Sequence, residues 1–258
     1  MLLQADSIRF AYRDTPVLSG LYCNLRAGET LALLGRNGSG KSTFFKFLLG
    51  FLPNHQGVVK IQGSYVAPGK RLRWFSWLAQ DPFLPTSLSV RGLFRLLDGR
   101  KPKQQPGVST AADQHLAKHK RQQDNNETVV LNPYERPEIQ AVWNKRIGSL
   151  SVGERRFVEL AVILNQSQPI LLLDEPFTGL QPSSIDAVLA AIGRKAALGH
   201  GIILSDHQYR PVLESSSRCA LLVNGRLHET PAGADPAELL KSLYLPGTRA
   251  PVTPTDQP

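Results

Sequence analysis

Gly35-Arg-Asn-Gly-Ser-Gly-Lys41-Ser42 lies between the apolar run Leu31-Ala-Leu-Leu34 and a stretch of helical character, Thr43 to Leu49. A strand, a glycine-rich turn and a helix in that order form a cradle for an anion. Successive backbone N–H groups converge on it, the helix N-terminus adds positive potential, Lys41 supplies a mobile cation, and Ser42 offers a hydroxyl to Mg²⁺. Gly35, Asn37, Gly38, Ser39, Gly40, Lys41, Ser42 and Thr43 are the candidate phosphate contacts, and the ligand expected is a nucleoside triphosphate. A chance glycine turn closing a hairpin would not need this strand and helix on either side.

Ile170-Leu-Leu-Leu-Asp174-Glu175-Pro176 places four consecutive apolar residues ahead of two carboxylates. Such a run reads as a strand buried on both faces of a parallel sheet, with its acids at the carboxyl end where these sheets bind ligands. Asp174 is suited to the Mg²⁺ shell and Glu175 to orienting or deprotonating an attacking water. Between the two segments lies Leu150-Ser151-Val152-Gly153-Glu154-Arg155-Arg156. By itself it is a helix start: Ser151 and Glu154 have capping-box spacing, and Phe157, Leu160, Ala161 and Leu164 recur on one face.

In this order the three segments resemble the ATP-binding cassette family, whose signature turn precedes its acid-bearing strand. Further positions match: Tyr12 as the aromatic that stacks on adenine, Gln80 in Trp77-Leu-Ala-Gln80-Asp81-Pro82, and His207 after Ile202-Ile-Leu-Ser-Asp206. Read alone, Tyr12 is a half-buried strand residue, Gln80 a polar strand end before a proline-led turn, and His207 a capping or packing histidine. The resemblance implies an α/β fold: a P-loop NTPase core with a mostly parallel sheet, an N-terminal antiparallel β subdomain and a helical subdomain. It implies Glu175, His207, Gln80 and Lys41 as catalytic residues and Ser42, Gln80 and Asp174 around the metal. ATP and Mg²⁺ are then the ligands, with each ATP held between Lys41 of one copy and Ser151 and Gly153 of another.

Three departures stand out. Val152 replaces the first glycine of the signature pair and Glu154 its glutamine, and Gln181 stands where an acid is expected after Thr178-Gly-Leu180. A β-branched residue resists positive φ and adds bulk near phosphate, so slower hydrolysis or a weaker signature contact is expected. Gln181 puts the coupling of two nucleotide sites in question.

The chain has 258 residues, 41% of them hydrophobic, enough for one substantial core: a cassette over 1–245 with a helical subdomain at about 85–165. From Asp98 to Thr128 the chain turns polar and reads as a mobile insertion, and the proline-bearing 246–258 as a disordered tail. His115 and His119 inside the insertion share helical spacing, without a carboxylate to complete a metal set. No apolar run approaches the roughly 20 residues of a membrane span, and Met1–Asp6 has no secretory pattern. Cys23 and Cys219 match no metal spacing and read as reduced core residues.

With 30 basic against 21 acidic residues the net charge is +9. The clusters Lys70-Arg71-Leu-Arg73, Lys101-Pro-Lys103, Lys118-His-Lys120-Arg121 and Arg155-Arg156 have few aromatics between them, which favours general anion attraction over base stacking. No direct nucleic-acid partner is expected.

Strands are expected at Leu3–Tyr12, Val17–Leu25, Leu31–Leu34, Val58–Gln62, Arg73–Ala79, Ile170 to Asp174 and Ile202–Leu204, and a hairpin at Cys219–Val223 and Arg226–His228 about Asn224-Gly225. Helices are expected after Lys41, over Ser87–Leu97, from Ser151, and after Gln181, the last with Pro182 in its first turn, Ser183 as cap, and Ile185, Val188, Leu189 and Ile192 facing the core. The resemblance extends to assembly: a separate ATPase subunit, paired with a second such subunit, docked on an integral membrane permease and therefore cytoplasmic and peripheral at the inner face of the cell membrane. The Asp206–Arg210 segment is similar to the subgroup serving lipopolysaccharide export and branched-chain amino acid uptake. The rival readings are a soluble assembly ATPase, as in iron–sulfur cluster biogenesis, and a regulatory module with weak hydrolysis.

Overall fold

The computed structural model describes residues 1–53, 56–99, 130–206 and 209–229. The 98–128 insertion apart from its first two residues, its histidines, the 246–258 tail and His207 lie outside the described residues. Asp98 and Gly99 are the last residues of a helix, Val90–Gly99, and Asp98 accepts a hydrogen bond from the Tyr134 hydroxyl.

Among the described residues the strands are β1 (Leu3–Tyr12), β2 (Thr15–Leu25), β3 (Thr30–Leu34), β4 (Gln56–Ile61), β5 (Ser64–Tyr65), β6 (Phe75–Leu78), β7 (Ile170–Asp174), β8 (Gly201–Ser205), β9 (Arg218–Val223) and β10 (Arg226–Glu229). The helices are α1 (Lys41–Leu49), α2 (Val90–Gly99), α3 (Pro137–Gln140), α4 (Val152–Leu164), α5 (Pro182–Ala197) and α6 (Tyr209–Ser215). One sheet has the order β2-β1-β4-β5 and is antiparallel. The other runs β10-β9-β3-β8-β7-β6, parallel throughout except for the hairpin partner β10.

The central strands are apolar at every position because both faces are covered. Leu31, Leu33, Ile170, Leu172 and Ile203 point to a core shared with the antiparallel sheet and with Phe44, Phe45, Phe47, Leu48 and Leu49 of α1. Their alternates Ala32, Leu34, Leu171, Leu173, Ile202 and Leu204 face a second core with α4 and α5. Period-2 alternation between two dry faces is what a continuous apolar run means in a parallel sheet. α4 is likewise buried around its whole circumference from Arg156 to Leu164, beyond the single face expected. In α5, Val188 and Ile192 are fully buried and Ile185 and Leu189 pack on the same core.

Three local expectations change. The strand at 73–79 is shortened to Phe75–Leu78 because Pro68 starts a 3₁₀ segment, Pro68–Trp74, that occupies Arg73 and Trp74. α5 is capped by Gln181 without a side-chain bond, and Ser183 lies inside the helix. Arg71 is 1% exposed rather than part of a surface cluster. It donates to Val66 O (3.1 Å) and to Phe47 O (2.8 Å), a carbonyl in the last turn of α1, with its guanidinium 5.1 Å from the Phe47 ring. A cation there complements the negative end of the helix. Cys23 and Cys219 are buried and form no disulfide, and burial raises both thiols, Cys23 to about 12, so both are unreactive packing residues.

Lys195 of α5 is fully buried, donating to Gln166 O at 2.7 Å and lying 3.4 Å from His200 Nε2. No carboxylate neutralises it among the described residues, and burial lowers its pKa from 10.5 to about 8. The unfolded chain therefore holds a proton between those values that the folded chain sheds, so stability rises with pH across that window and the full cost of the buried cation is present below it. Lys195→Met removes this cost. The variant's stability advantage over the parent should shrink by roughly 2 kcal/mol between pH 7 and pH 10 in thermal unfolding. A gap that does not move with pH would show that the folded amine keeps its proton and its ordinary pKa despite burial.

Candidate nucleotide site

Strand register brings the proposed residues to one edge. Ala32 pairs with Leu204, Leu204 with Leu173, and Leu173 with Leu78. The residues that follow, Gly35 after β3, Gln80 after β6, Asp174 and Glu175 at the end of β7, and Asp206 after β8, all leave the sheet at its carboxyl edge. That edge is where open parallel sheets bind ligands.

The loop after β3 enters α1 through Gly40, whose φ is 105° and which offers no side-chain cap; the first turn carries no acid. The first amides of α1 are thus left to an external acceptor. A Cβ on Gly35 would stand 2.6 Å from Ser39 Oγ and 2.9 Å from Leu222 O, so the loop is wound too tightly for any side chain there. Ser39 Oγ is buried without a hydrogen-bond partner. Lys41 Nζ donates to Gly35 O at 2.6 Å and Arg36 O at 3.1 Å, folding its cation back over the loop. Burial lowers its pKa, and the negative fields of Asp174 and Glu175 oppose that shift, which puts the lysine and both carboxylates within one electrostatic neighbourhood. Tight backbone, helix N-terminus, free hydroxyl and partly desolvated cation fit a polyphosphate.

Asp174 is 3% exposed and its Oδ1 accepts from Ser205 Oγ at 2.6 Å. The carboxylate is thereby aimed, with Oδ2 available to a metal. Among the described residues no group of three His, Cys, Asp or Glu could hold a metal alone. Ser42 and Asp174 would offer the few hard oxygens that Mg²⁺ takes from protein when phosphates complete its shell.

Glu175 has φ 51°, a left-handed conformation that costs a non-glycine residue about 1–3 kcal/mol. Its N–H is held by Ser205 O at 2.6 Å, and Thr178 Oγ1 is 3.4 Å from its Oε2. Asp206 Oδ2 accepts from Phe177 N at 2.9 Å, closing the turn from the other side. A cleft of about 310 Å³ holds Gln80 and Glu175 together with Leu150, Val152, Arg155, Arg156, Glu159 and Thr178. Gln80 itself is exposed.

Tyr12 is 49% exposed at the end of β1, its ring edge-on to Phe10 at 4.8 Å. It has the free face that a base-stacking role requires. Ser151 caps α4: its side chain accepts from Glu154 N at 3.2 Å while Glu154 Oε2 accepts from Ser151 N at 2.7 Å. Val152 lies in the first turn of this helix and is 71% exposed, so the expected conflict with positive φ does not arise; only its outward bulk remains. Gly153 has a packing reason to be glycine, since a Cβ would meet Gly179 O at 2.0 Å. None of residues 35–43 lines the cleft that the signature turn borders.

Sequence reasoning missed two contributors. Ser205, which aims Asp174, lies in an ordinary strand and gave no signal. Arg156, read as half of a surface cluster, is 5% exposed and donates to the carbonyls of Ala79, Asp174 and Glu175.

A family model described as ABC transporter matches residues 18–178. The hemin import ATP-binding protein HmuV of Streptomyces coelicolor is 33% identical over 243 residues, covering 93% of this chain and 80% of that protein. The lipopolysaccharide export system ATP-binding protein LptB of Acidithiobacillus ferridurans is 32% identical, covering 88% of each. A solved structure of an ATP binding subunit of an ABC transporter superposes with a TM-score of 0.76 at 23% identity, covering 94% of this chain and 99% of that one, a likeness of fold. With the fold, the loop and the matched residues in agreement, the chain belongs to the ABC transporter family, as one of its ATP-binding subunits.

Proposed function

We propose that this protein is a Mg²⁺-dependent ATP hydrolase that works as a pair of subunits on an integral membrane permease, peripheral at the inner face of the membrane. The observation that carries it is the strand register that delivers the loop of Lys41 and the carboxylates of Asp174 and Glu175 to one sheet edge, where the fields of both acids reach the lysine. Lys41 and the loop amides neutralise the β and γ phosphates, and the Ser42 hydroxyl and Asp174 would hold the metal. Bound there, Mg²⁺ would supply positive charge against the negative charge that develops on the phosphate oxygens. Glu175 takes the proton of the attacking water, Gln80 reaches the same cleft, and His207 is assigned to the developing charge. Tyr12 stacks on the base.

Ser151 and Gly153 are assigned to the ATP of a facing copy, because their neighbours Leu150 and Val152 line the Gln80 cleft and none of residues 35–43 does. ATP closes such a pair and hydrolysis reopens it. The division of the chain into a cassette over 1–245 with a helical subdomain at about 85–165 belongs to the same reading, with that subdomain meeting the permease.

Among the described residues no helix is long and apolar enough to cross a membrane. The membrane-spanning part of a transporter is therefore assigned to another chain. HmuV is named for import and LptB for export, so what they share with this chain is the motor and not a cargo. Copurification from membranes solubilised in mild detergent tests the assignment. A polytopic membrane protein in the pulldown is expected; recovery of soluble partners alone would favour an assembly ATPase.

A further inference from the structure

We infer that Arg156 and Glu159 form a positioning pair that ties the backbone of Asp174-Glu175 to both ends of the Gln80 segment, an inference that rests on Glu175 being the hydrolytic base. The two side chains are one turn apart on α4, 6% and 2% exposed, and joined at 3.2 Å. Every nitrogen of the guanidinium is engaged. Nη1 donates to Ala79 O (2.7 Å) and Glu159 Oε2 (3.2 Å), Nη2 to Asp174 O (2.8 Å) and Glu175 O (3.2 Å), and Nε to Glu175 O (3.3 Å). The other carboxylate oxygen of Glu159, Oε1, accepts from Phe83 N at 3.2 Å.

The partners define the role. Ala79 and Phe83 bracket Gln80, so one ion pair grips the carbonyl before it and the amide after it. Asp174 O and Glu175 O flank the α-carbon of Glu175, the residue held in a left-handed conformation. Arg156 donates to the carbonyls of Asp174 and Glu175 and Ser205 O accepts from the Glu175 N–H, and together they fix where the Glu175 side chain leaves the backbone. A buried ion pair is a poor source of stability, because desolvating two charges offsets most of their attraction, and an apolar pair of like volume would fill this space as well. A planar fork that reaches three carbonyls on the ends of β6 and β7 does what no apolar side chain can. A shift of the Gln80 segment is thereby transmitted to the Glu175 peptide. Lysine, a point donor, reaches part of this set and cannot bridge it.

The test compares Arg156→Lys and Arg156→Met with the parent in the full-length protein, reading steady-state ATP turnover and the equilibrium affinity for a fluorescent ATP analogue with Mg²⁺. Misplacing a reacting group by about 1 Å costs on the order of 100-fold, so Arg156→Met is expected to lose 30- to 100-fold in kcat and Arg156→Lys about 10-fold. Affinity should stay within about twofold, since the loop at 35–43 is not touched. In a Glu175→Gln background the same substitutions should cost clearly less than in the parent, because most of their effect passes through the missing carboxylate. Arg156→Lys with turnover within about twofold of the parent, or kcat and affinity falling together, or an equal loss in the Glu175→Gln background, would overturn the inference. If Arg156→Met shows no folded transition, Arg156→Lys decides by the same criteria. Substantial turnover by Glu175→Gln alone sinks the assignment of the base instead, and so separates the two failures.

Discussion

Glu175→Gln should reduce ATP turnover by roughly 10²- to 10⁴-fold, the range by which a positioned general base accelerates proton transfer. Glutamine keeps the size of the side chain and an acceptor oxygen but takes no proton from water. Binding should survive: the loop amides, Lys41 and Asp174 are untouched, and removal of a negative charge beside the polyphosphate leaves affinity equal or higher. The substitution therefore separates the two halves of the site. Single-turnover phosphate release measures the chemistry and analogue fluorescence the binding. If ATP closes a pair of subunits, the variant should also elute as a dimer with ATP and Mg²⁺ and as a monomer without them. Near-parental release of phosphate would remove Glu175 from the role given to it.

The second large effect belongs to Lys41. Its ammonium is partly desolvated and donates to Gly35 O and Arg36 O, which holds it over the loop. A hydrogen bond to a charged group contributes about 1.5–3 kcal/mol, so Lys41→Ala should weaken Mg·ATP binding by roughly 10- to 150-fold. Turnover should fall further than affinity, because charge on the β and γ oxygens grows toward the transition state. AMP, which lacks those oxygens, should bind parent and variant alike. Equal ATP affinity in the two proteins would mean that the loop does not hold the triphosphate.

The parts of this molecule legible in its sequence are those where one short segment carries the whole physical cause. The glycine-rich turn needs no distant partner to explain its glycines, and an unbroken apolar run such as Ile170-Leu-Leu-Leu implies two covered faces wherever the strand is placed. The capping box at Ser151 and Glu154 is closed within four residues. What stayed hidden depends on carbonyls far along the chain. Arg156 and Arg71 each sit beside other cations, which reads as a solvated patch, and their burial follows only once the ends of β6 and β7, or the last turn of α1, are in place. Gly153 looked like a phosphate contact and also proves to be a point of close backbone approach to Gly179. The strain assigned to Val152 came from comparing it with a glycine; the helix start places it at ordinary helical angles instead.

The central claim is that the loop near residue 40 and the carboxylates at the end of β7 grip one metal-chelated triphosphate. A double-mutant cycle on Mg·ATP affinity, with Lys41→Ala, Asp174→Asn and the pair in a Glu175→Gln background, addresses it directly. Strong coupling is expected: the second substitution costs much less once the first is present, with an interaction energy of about 1 kcal/mol or more, and the coupling vanishes when EDTA replaces Mg²⁺. Additive losses to within about 0.5 kcal/mol, unchanged by EDTA, would show two independent sites and contradict it.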